Sequence, residues 1–190
     1  MKIFKNISIL LITALIFTAC SNDDDNNPEP VEEQEVITTL TATLTPVGGG
    51  KTITLESKDL DGNGPNTPVI TVSGPLEANT TYNASLELLN ETESPAESIN
   101  EEIEEKDDDH QFFYQITNNL ATLNYADFDS NNKPLGLEFS LTTTTVTGSG
   151  FLTITLRHEP NKNASGVSDG NIENAGGETD IQAVFSISVQ

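Results

Sequence analysis

Residues 36–57 read VITTLTATLTPVGGGKTITLES, and this stretch decides the fold. In residues 36–45 and 51–57, apolar side chains alternate with threonine and other polar side chains. Such a period of two places the apolar residues on one face of a β-strand. Between the two runs, Gly48, Gly49 and Gly50 supply a tight turn. The stretch therefore predicts a β-hairpin with one buried face.

The same alternation recurs along the chain, separated by turn residues. The further predicted strands are residues 69–73, 80–89, 111–117, 122–126, 136–144, 150–158 and 180–189. About nine strands without alternating helices predict a single antiparallel β-sandwich, immunoglobulin-like, or a small barrel over residues 36–190. No glycine-rich nucleotide-binding motif occurs, which argues against a doubly wound α/β enzyme.

One segment, residues 95–106, has the pattern of a helix inserted among the strands. Ser94 and Glu97 match a capping box, with Pro95 at the first helical position. Ile99 and Ile103 lie four residues apart and form a narrow apolar stripe that can dock on a sheet. The sequence therefore predicts an acidic helix near residues 95–106.

Three aspartates, Asp107–Asp109, follow this helix at the end where its dipole is negative. Between Glu91 and Asp109 there are ten acidic residues and one basic residue, Lys106. Acids at a helix C-terminus are unfavourable unless a positive charge compensates them. This placement predicts a cation close to the aspartates.

The N-terminus has the layout of a lipoprotein signal peptide over residues 1–19. Lys2 and Lys5 precede an apolar run, residues 7–17, that is shorter than the roughly 20 residues of a membrane-spanning helix. Cys20, which is the sole cysteine of the chain, stands at the cleavage point. We expect Cys20 to carry a diacylglycerol on its thiol and a further acyl chain on its amine, which anchors the protein stably.

Residues 20–35 follow as a lipidated cysteine and a polar, acidic tether that cannot form a core. Within it, residues 21–25 (SNDDD) resemble the acidic export signal that sends lipoproteins of Bacteroidota to the outer face of the outer membrane. That resemblance implies a lipid-anchored protein exposed at the cell surface.

The net charge of the chain is −22, from 30 acidic and eight basic residues. Nucleic acid is therefore excluded as a partner, because phosphate binding needs a basic surface. Cations and basic surfaces are the partners that this charge favours. Catalysis is not expected, because no thiol remains after lipidation and no GxSxG motif is present.

Two histidines are the best candidates for a metal site. His110 lies at the start of a predicted strand and His158 at the end of another. Imidazole and carboxylate ligands suit zinc and copper(II). The sequence therefore suggests a transition-metal site whose ligands are drawn from His110, His158, Asp107, Asp108, Asp109 and Glu159. A solvated acidic face with two unrelated histidines remains the alternative.

A second candidate is the first half of a calcium loop at Asp59, Asp61 and Asn63. Oxygen-bearing side chains occupy alternate positions there and the sixth position holds Gly64, as in the first half of such a loop, but the twelfth position holds Ile70 instead of glutamate. A polar turn between strands explains the same residues without calcium. Both interpretations stay open at this point.

The loop of residues 159–178 follows His158 and is long for a compact domain. It is either functional or loosely ordered, and it is a candidate rim for a ligand site. Asp169 or Glu173 are the acids in it that could reach inward.

Several stretches together resemble a known family: VITTLTATLTPVGGGKTITL, DLDGNG, EEIEE with DHQFFY, and LRHEPNK with GGETDI. The chain resembles small lipoproteins of flavobacteria and their relatives, often encoded beside TonB-dependent receptors. Some members carry a label of type 1 periplasmic-binding fold, which implies a doubly wound α/β domain, whereas this sequence has one helix and about nine strands. The resemblance implies an accessory lipoprotein that hands a scarce nutrient to an outer-membrane receptor.

These observations leave two leading functions. The first is capture of zinc or copper by a surface lipoprotein that serves an outer-membrane receptor. The second is a structural or adhesion lipoprotein, stabilised by calcium, with no role for transition metals. The first requires the two histidines to converge, and the second requires the residues of the calcium loop to matter more than the histidines.

Overall fold

The computed structural model describes residues 35–62 and 64–190. The predictions for the signal peptide, for Cys20 and for Asn63 lie outside these residues. The described strands are β1 (Thr39–Pro46), β2 (Ile53–Lys58), β3 (Val69–Val72), β4 (Thr81–Asn90), β5 (Glu97–Ser98), β6 (His110–Ile116), β7 (Ala121–Tyr125), β8 (Glu138–Thr143), β9 (Gly148–His158) and β10 (Glu178–Val189). The one described α-helix is α1 (Asn100–Glu105), and short 3-10 helices span Asp107–Asp109, Val167–Asp169 and Ile172–Asn174.

The described strands form two antiparallel sheets and no closed barrel. One sheet has the order β3-β2-β1-β4-β8-β7, with β5 added beside β4. The other has three strands in the order β10-β9-β6. This confirms the predicted mainly β, sandwich-like fold.

The hairpin at residues 36–57 forms as its alternation predicts. Leu40, Ala42 and Leu44 of β1 are fully buried, and β1 lies between β2 and β4. Leu44 pairs with Ile53 across the turn. The turn contains three consecutive glycines with positive φ, a conformation that other residues adopt only under strain.

The core lies between the two sheets. Strands β1 and β4 contribute apolar side chains from one side, and β9 and β10 contribute theirs from the other. Its largest members include Tyr82 and Phe139 from the seven-stranded sheet and Phe112 and Phe185 from the three-stranded sheet. Because one apolar cluster joins both sheets, the sandwich is held mainly by burial of apolar surface.

The helix is shorter than the sequence predicts. α1 begins at Asn100, its N-cap is Ile99, and no side chain caps it, so the capping box at Ser94 and Glu97 does not form. Residues 97–98 instead pair with the end of β4 as β5, and this strand pairing competes with the first helical turn. The predicted apolar stripe is present, because Ile99 and Ile103 are both buried in the core.

Among the described residues, no helix is long and apolar enough to cross a membrane.

Candidate metal centre

The two histidines lie opposite each other in the three-stranded sheet. β6 begins at His110, β9 ends at His158, and these two residues are paired in the antiparallel register. Side chains of directly paired residues point to the same face of a sheet. As a result, His158 Nδ1 lies 3.1 Å from His110 Nε2. The histidines therefore converge, as the metal hypothesis requires.

Two carboxylates, which the sequence analysis did not select, complete the group. Glu35 Oε1 lies 3.2 Å from His110 Nε2, and Glu35 Oε2 lies 3.6 Å from His158 Nδ1. Asp180 Oδ2 lies 3.9 Å from His110 Nε2 and 4.0 Å from His158 Nδ1. One ligand atom from each of the four residues lies within 4.8 Å of the others. We call these four residues the metal cluster, because such a group can hold a metal ion.

Asp180 reaches the cluster through an irregularity in β10. The pairing of β10 with β9 runs from Thr179 opposite Arg157 directly to Ile181 opposite Leu156. Asp180 is therefore the extra residue of a β-bulge, a device that re-aims a side chain. If β10 were regular and Ile181 still lay opposite Leu156, the side chain of Asp180 would point to the face opposite that of Ile181. The bulge therefore determines where the carboxylate of Asp180 points.

Glu35 approaches from the opposite sheet, just before β1. The sequence analysis assigned it to the flexible tether of residues 20–35, and this assignment was wrong for Glu35, whose side chain is only 1% exposed. Three residues further on, Thr38 is bonded to β4 by its backbone and side chain, which fixes the path of this segment. The cluster thus draws one ligand from beside the seven-stranded sheet and three from the three-stranded sheet.

A hydrogen bond determines which nitrogen of His110 faces the cluster. His110 Nδ1 lies 3.0 Å from the backbone carbonyl oxygen of Lys106. Because a carbonyl oxygen only accepts, Nδ1 carries the proton and donates it. In the neutral imidazole, His110 Nε2 then carries a lone pair directed at the other three residues. Metal-binding histidines in proteins are commonly oriented by such a bond from the second ring nitrogen.

The spacing of the four ligand atoms suits a tetrahedral ion. Zinc–nitrogen and zinc–oxygen bonds of about 2.0–2.1 Å place tetrahedral ligands about 3.3 Å apart. The separations between an imidazole nitrogen and another polar atom of the cluster run from 3.1 to 4.0 Å, where His110 and His158 are measured to different oxygens of Glu35. With one ligand atom taken from each residue, the four atoms lie within 4.8 Å of one another, so a tetrahedral ion requires the longer separations to shorten.

The cluster concentrates negative charge away from water. The side chains of Glu35 and Asp180 are 1% and 0% exposed, and none of their four carboxylate oxygens has a hydrogen-bond partner within the described residues. Burial, and then repulsion from Glu35, raise the pKa of Asp180 to about 6. Buried carboxylates without partners are costly, and a divalent cation would neutralise both.

The raised pKa of Asp180 predicts how the stability of the metal-free protein depends on pH. A carboxyl group whose pKa rises from 3.8 to about 6 on folding stabilises the fold fully below pH 3.8, and this contribution is lost as the pH rises through about 6. We expect the melting temperature of the metal-free protein to fall more steeply over this range than that of Asp180→Asn. Thermal melts followed by circular dichroism in chelator measure this difference. Parallel pH profiles for the two proteins would contradict it.

The acidic residues that the sequence analysis added to the metal site are not in the cluster. Asp107 accepts hydrogen bonds from the backbone and hydroxyl group of Ser130, while Asp108 and Asp109 lie in the exposed 3-10 helix after α1. Glu159 is exposed, and its backbone amide donates to the carbonyl oxygen of Asp109. These residues lie one or more positions beyond the paired histidines, and the strand ends direct their side chains elsewhere.

A lysine of the protein, Lys162, supplies a positive charge close to the three aspartates, where the sequence predicts a cation. The buried ammonium of Lys162 donates to the backbone carbonyl oxygen of Asp107 at 2.7 Å and to Asp129 Oδ2 at 2.8 Å. It therefore places a positive charge at the end of the helical segment, where the dipole is negative. The placement of these acids consequently gives no separate evidence for a bound metal.

The calcium-loop residues form a turn beside the metal cluster. Asp61 accepts hydrogen bonds from the backbone and side chain of Asn66, as in a polar turn. Desolvation acts to raise the pKa of Asp61, but the hydrogen bonds that it accepts from Asn66 outweigh this effect and lower the pKa. Asp59 Oδ1 is buried and has no hydrogen-bond partner within the described residues. Asp59 and Asp61 line a cavity of about 430 Å³ together with Glu35 and Asp180.

The loop of residues 159–178 is ordered and packed, but away from the cluster. Val167 and Ala175 are buried against Phe113 and anchor two of the short 3-10 helices. Asp169 lines a different cleft of about 590 Å³, beside Tyr114 and Tyr125. Glu173 donates its backbone amide to Asn171 within the loop. Neither acid reaches the histidines.

The chain matches no protein-family model, and no curated protein and no solved structure is significantly similar to it.

Proposed function

We propose that this protein is a surface-exposed lipoprotein that captures a divalent transition metal, with zinc as the preferred ion. One observation carries the proposal: two histidines and two carboxylates converge in a buried group whose carboxylate oxygens have no hydrogen-bond partners among the described residues. Two neutral imidazoles and two carboxylates carry a charge of −2, which a divalent ion cancels. The cluster is therefore better satisfied with a metal than without one.

The arrangement of the ligands favours zinc over copper(II). Copper(II) prefers square-planar or tetragonal sites, whereas zinc takes four tetrahedral ligands of mixed nitrogen and oxygen. A set of two imidazole nitrogens and two carboxylate oxygens within 4.8 Å of one another suits such a mixed tetrahedral shell. Copper is the second metal to be tested. If copper binds instead of zinc, the proposed capture function stands and only the identity of the captured ion changes.

Four protein ligands favour capture or a structural role over catalysis. Catalytic zinc sites keep one position for water or substrate, while closed sites use four protein ligands. Glu35, His110, His158 and Asp180 would supply all four ligands of a tetrahedral shell. For this reason the proposed function includes no enzymatic step.

The membrane part of the proposal rests on the sequence. The signal peptide of residues 1–19, lipidation at Cys20 and the acidic segment after it support anchoring to the outer membrane with the domain at the cell surface. Resemblance to lipoproteins encoded beside TonB-dependent receptors supports such a receptor as the partner that accepts the metal. The acidic surface also suits attraction of cations from the medium.

A calcium-stabilised structural lipoprotein is the weaker candidate. Asp59 Oδ1 has no hydrogen-bond partner in the described part of the chain, which favours this function, but Asp61 already accepts a hydrogen bond from Asn66. If calcium binds there, Asp59→Ala and Asp61→Ala will lower the melting temperature in calcium and have no effect in chelator.

Isothermal titration of the full-length protein in detergent with zinc, copper(II) and calcium tests the proposal. We expect one zinc ion per chain, bound with release of protons and lost as the pH falls through about 6, because Asp180 and the imidazoles must be deprotonated to bind. A chain that binds neither zinc nor copper would overturn the proposed function. Binding of calcium alone would favour the structural alternative.

A further inference from the structure

A single cavity connects the metal cluster with the turn at Asp59–Gly62. It has a volume of about 430 Å³, and Glu35, Asp59, Asp61 and Asp180 are among the residues that line it. The histidines are not among its lining residues. The cavity therefore reaches the cluster from its carboxylate side.

The four carboxylates that line the cavity range from exposed to fully buried. Asp61 is exposed, Asp59 is half-buried, and the side chains of Asp180 and Glu35 are 0% and 1% exposed. Five carboxylate oxygens along this series have no hydrogen-bond partner within the described residues, namely Asp59 Oδ1 and both oxygens of Glu35 and Asp180. A cation that passes Asp61 thus meets carboxylate oxygens without hydrogen-bond partners at Asp59, Asp180 and Glu35.

The order of these groups suits stepwise dehydration of an ion. An aqueous divalent ion must exchange water for protein ligands, and exchange is easier when carboxylates replace the waters one at a time. Negative charge in a cleft with low-dielectric walls also raises the local concentration of cations and their association rate. The final ligands, the imidazoles, lie beyond the carboxylates.

We propose that this cavity is the entry path of the metal and that Asp59 and Asp61 form a transient cation site at its mouth. The proposal rests on the proposed function, because it specifies how the metal reaches the cluster. The cation is the same divalent ion that the cluster binds. Asp61 captures it from solvent, Asp59 accepts it next, and Asp180 and Glu35 deliver it to His110 and His158.

The path predicts a kinetic role for two residues that are not ligands in the final complex. The double variant Asp59→Asn, Asp61→Asn removes both negative charges. The amide oxygen of asparagine at position 61 can still accept the hydrogen bonds from Asn66. We expect the association rate for the metal to fall about tenfold at low ionic strength, since electrostatic steering contributes factors of this size and more. Added salt should slow the wild type and reduce the difference, because it screens the charges.

Cobalt(II) is the probe, because its visible absorption reports entry into a tetrahedral site directly. Stopped-flow mixing of cobalt(II) chloride with the full-length protein in detergent gives the association rate, and titration at equilibrium gives the affinity. The matched control is Glu87→Gln with Glu138→Gln, which removes two charges from exposed positions on β4 and β8 that do not line the cavity. We expect the control to associate at close to the wild-type rate.

The outcomes separate the two proposals. If the wild type binds cobalt(II) and the double asparagine variant associates as fast as the control, the entry path is wrong and the proposed function stands. If the wild type binds none of cobalt(II), zinc and copper(II), the proposed function and the path are both wrong. A variant that associates slowly and still reaches a one-to-one complex with the wild-type absorption spectrum supports the path.

Discussion

Replacing His158 with alanine is expected to lower the affinity for zinc about 100- to 1,000-fold. Structural zinc sites bind with about 10–16 kcal/mol, so one of four ligands contributes roughly a quarter, or about 3–4 kcal/mol. His158 is the better choice than His110 for this test. Its side chain is 13% exposed, whereas His110 is fully buried, so the alanine leaves a smaller internal cavity.

Competition with a zinc chelator measures the affinity, and circular dichroism shows whether the β-rich fold persists. The matched control is the triple variant Asp107→Asn, Asp108→Asn, Glu159→Gln. It neutralises three acids that the sequence analysis proposed as metal ligands and that lie outside the metal cluster. The control should keep nearly the wild-type affinity. Equal loss in both proteins would mean that the acidic surface, and not the metal cluster, holds the ion.

Loss of Lys162 is expected to cause the largest change in stability outside the metal cluster. Lys162 is 5% exposed, and its ammonium contacts Asp129, whose side chain is 1% exposed. Burial acts to raise the pKa of Asp129, but Lys162 and the backbone amides of Lys133 and Asn131 outweigh it and lower the pKa. Removing one partner of a buried ion pair leaves an uncompensated charge, which typically costs about 3–5 kcal/mol.

Lys162→Met is the suitable variant, because methionine fills most of the space of the lysine stem. We expect it to lower the free energy of unfolding by about 3–5 kcal/mol, measured by urea denaturation in chelator. Adding Asp129→Asn should restore part of the loss, since the charge left without a partner is then gone. A loss below about 1 kcal/mol in the single variant would show that the pair behaves like an exposed one.

These two results bear on different parts of the molecule. The metal cluster joins the segment before β1 to the three-stranded sheet, whereas Lys162 joins the end of α1 to the turn at Asp129. A metal ion would therefore link the two sheets at a position next to the predicted membrane tether. Since a ligand that binds only the folded state stabilises it, zinc should raise the melting temperature of the wild type more than that of His158→Ala, whose affinity is lower.

The sequence by itself determined the architecture, because alternation with period two is a local property. Leu40, Ala42 and Leu44 are spaced two apart, and this spacing alone places them on one face of β1, where all three are buried. The same reasoning identified every strand longer than two residues. It missed the start of the helix, because the pairing of residues 97–98 with β4 is a tertiary contact that overrides the local capping signal.

The sequence also selected His110 and His158 as candidate ligands, since few residues other than histidine suit a transition metal. Only the tertiary structure decided that they meet, because 48 residues separate them and the register of β6 with β9 places them opposite each other. The tertiary structure also determined which carboxylates join the histidines. The position of the Asp180 carboxylate depends on a bulge in β10, and that of Glu35 depends on the path of the chain before β1. Neither feature has a local sequence pattern. The acids nearest to the histidines in sequence lie outside the metal cluster, because proximity along a strand end does not determine where a side chain points.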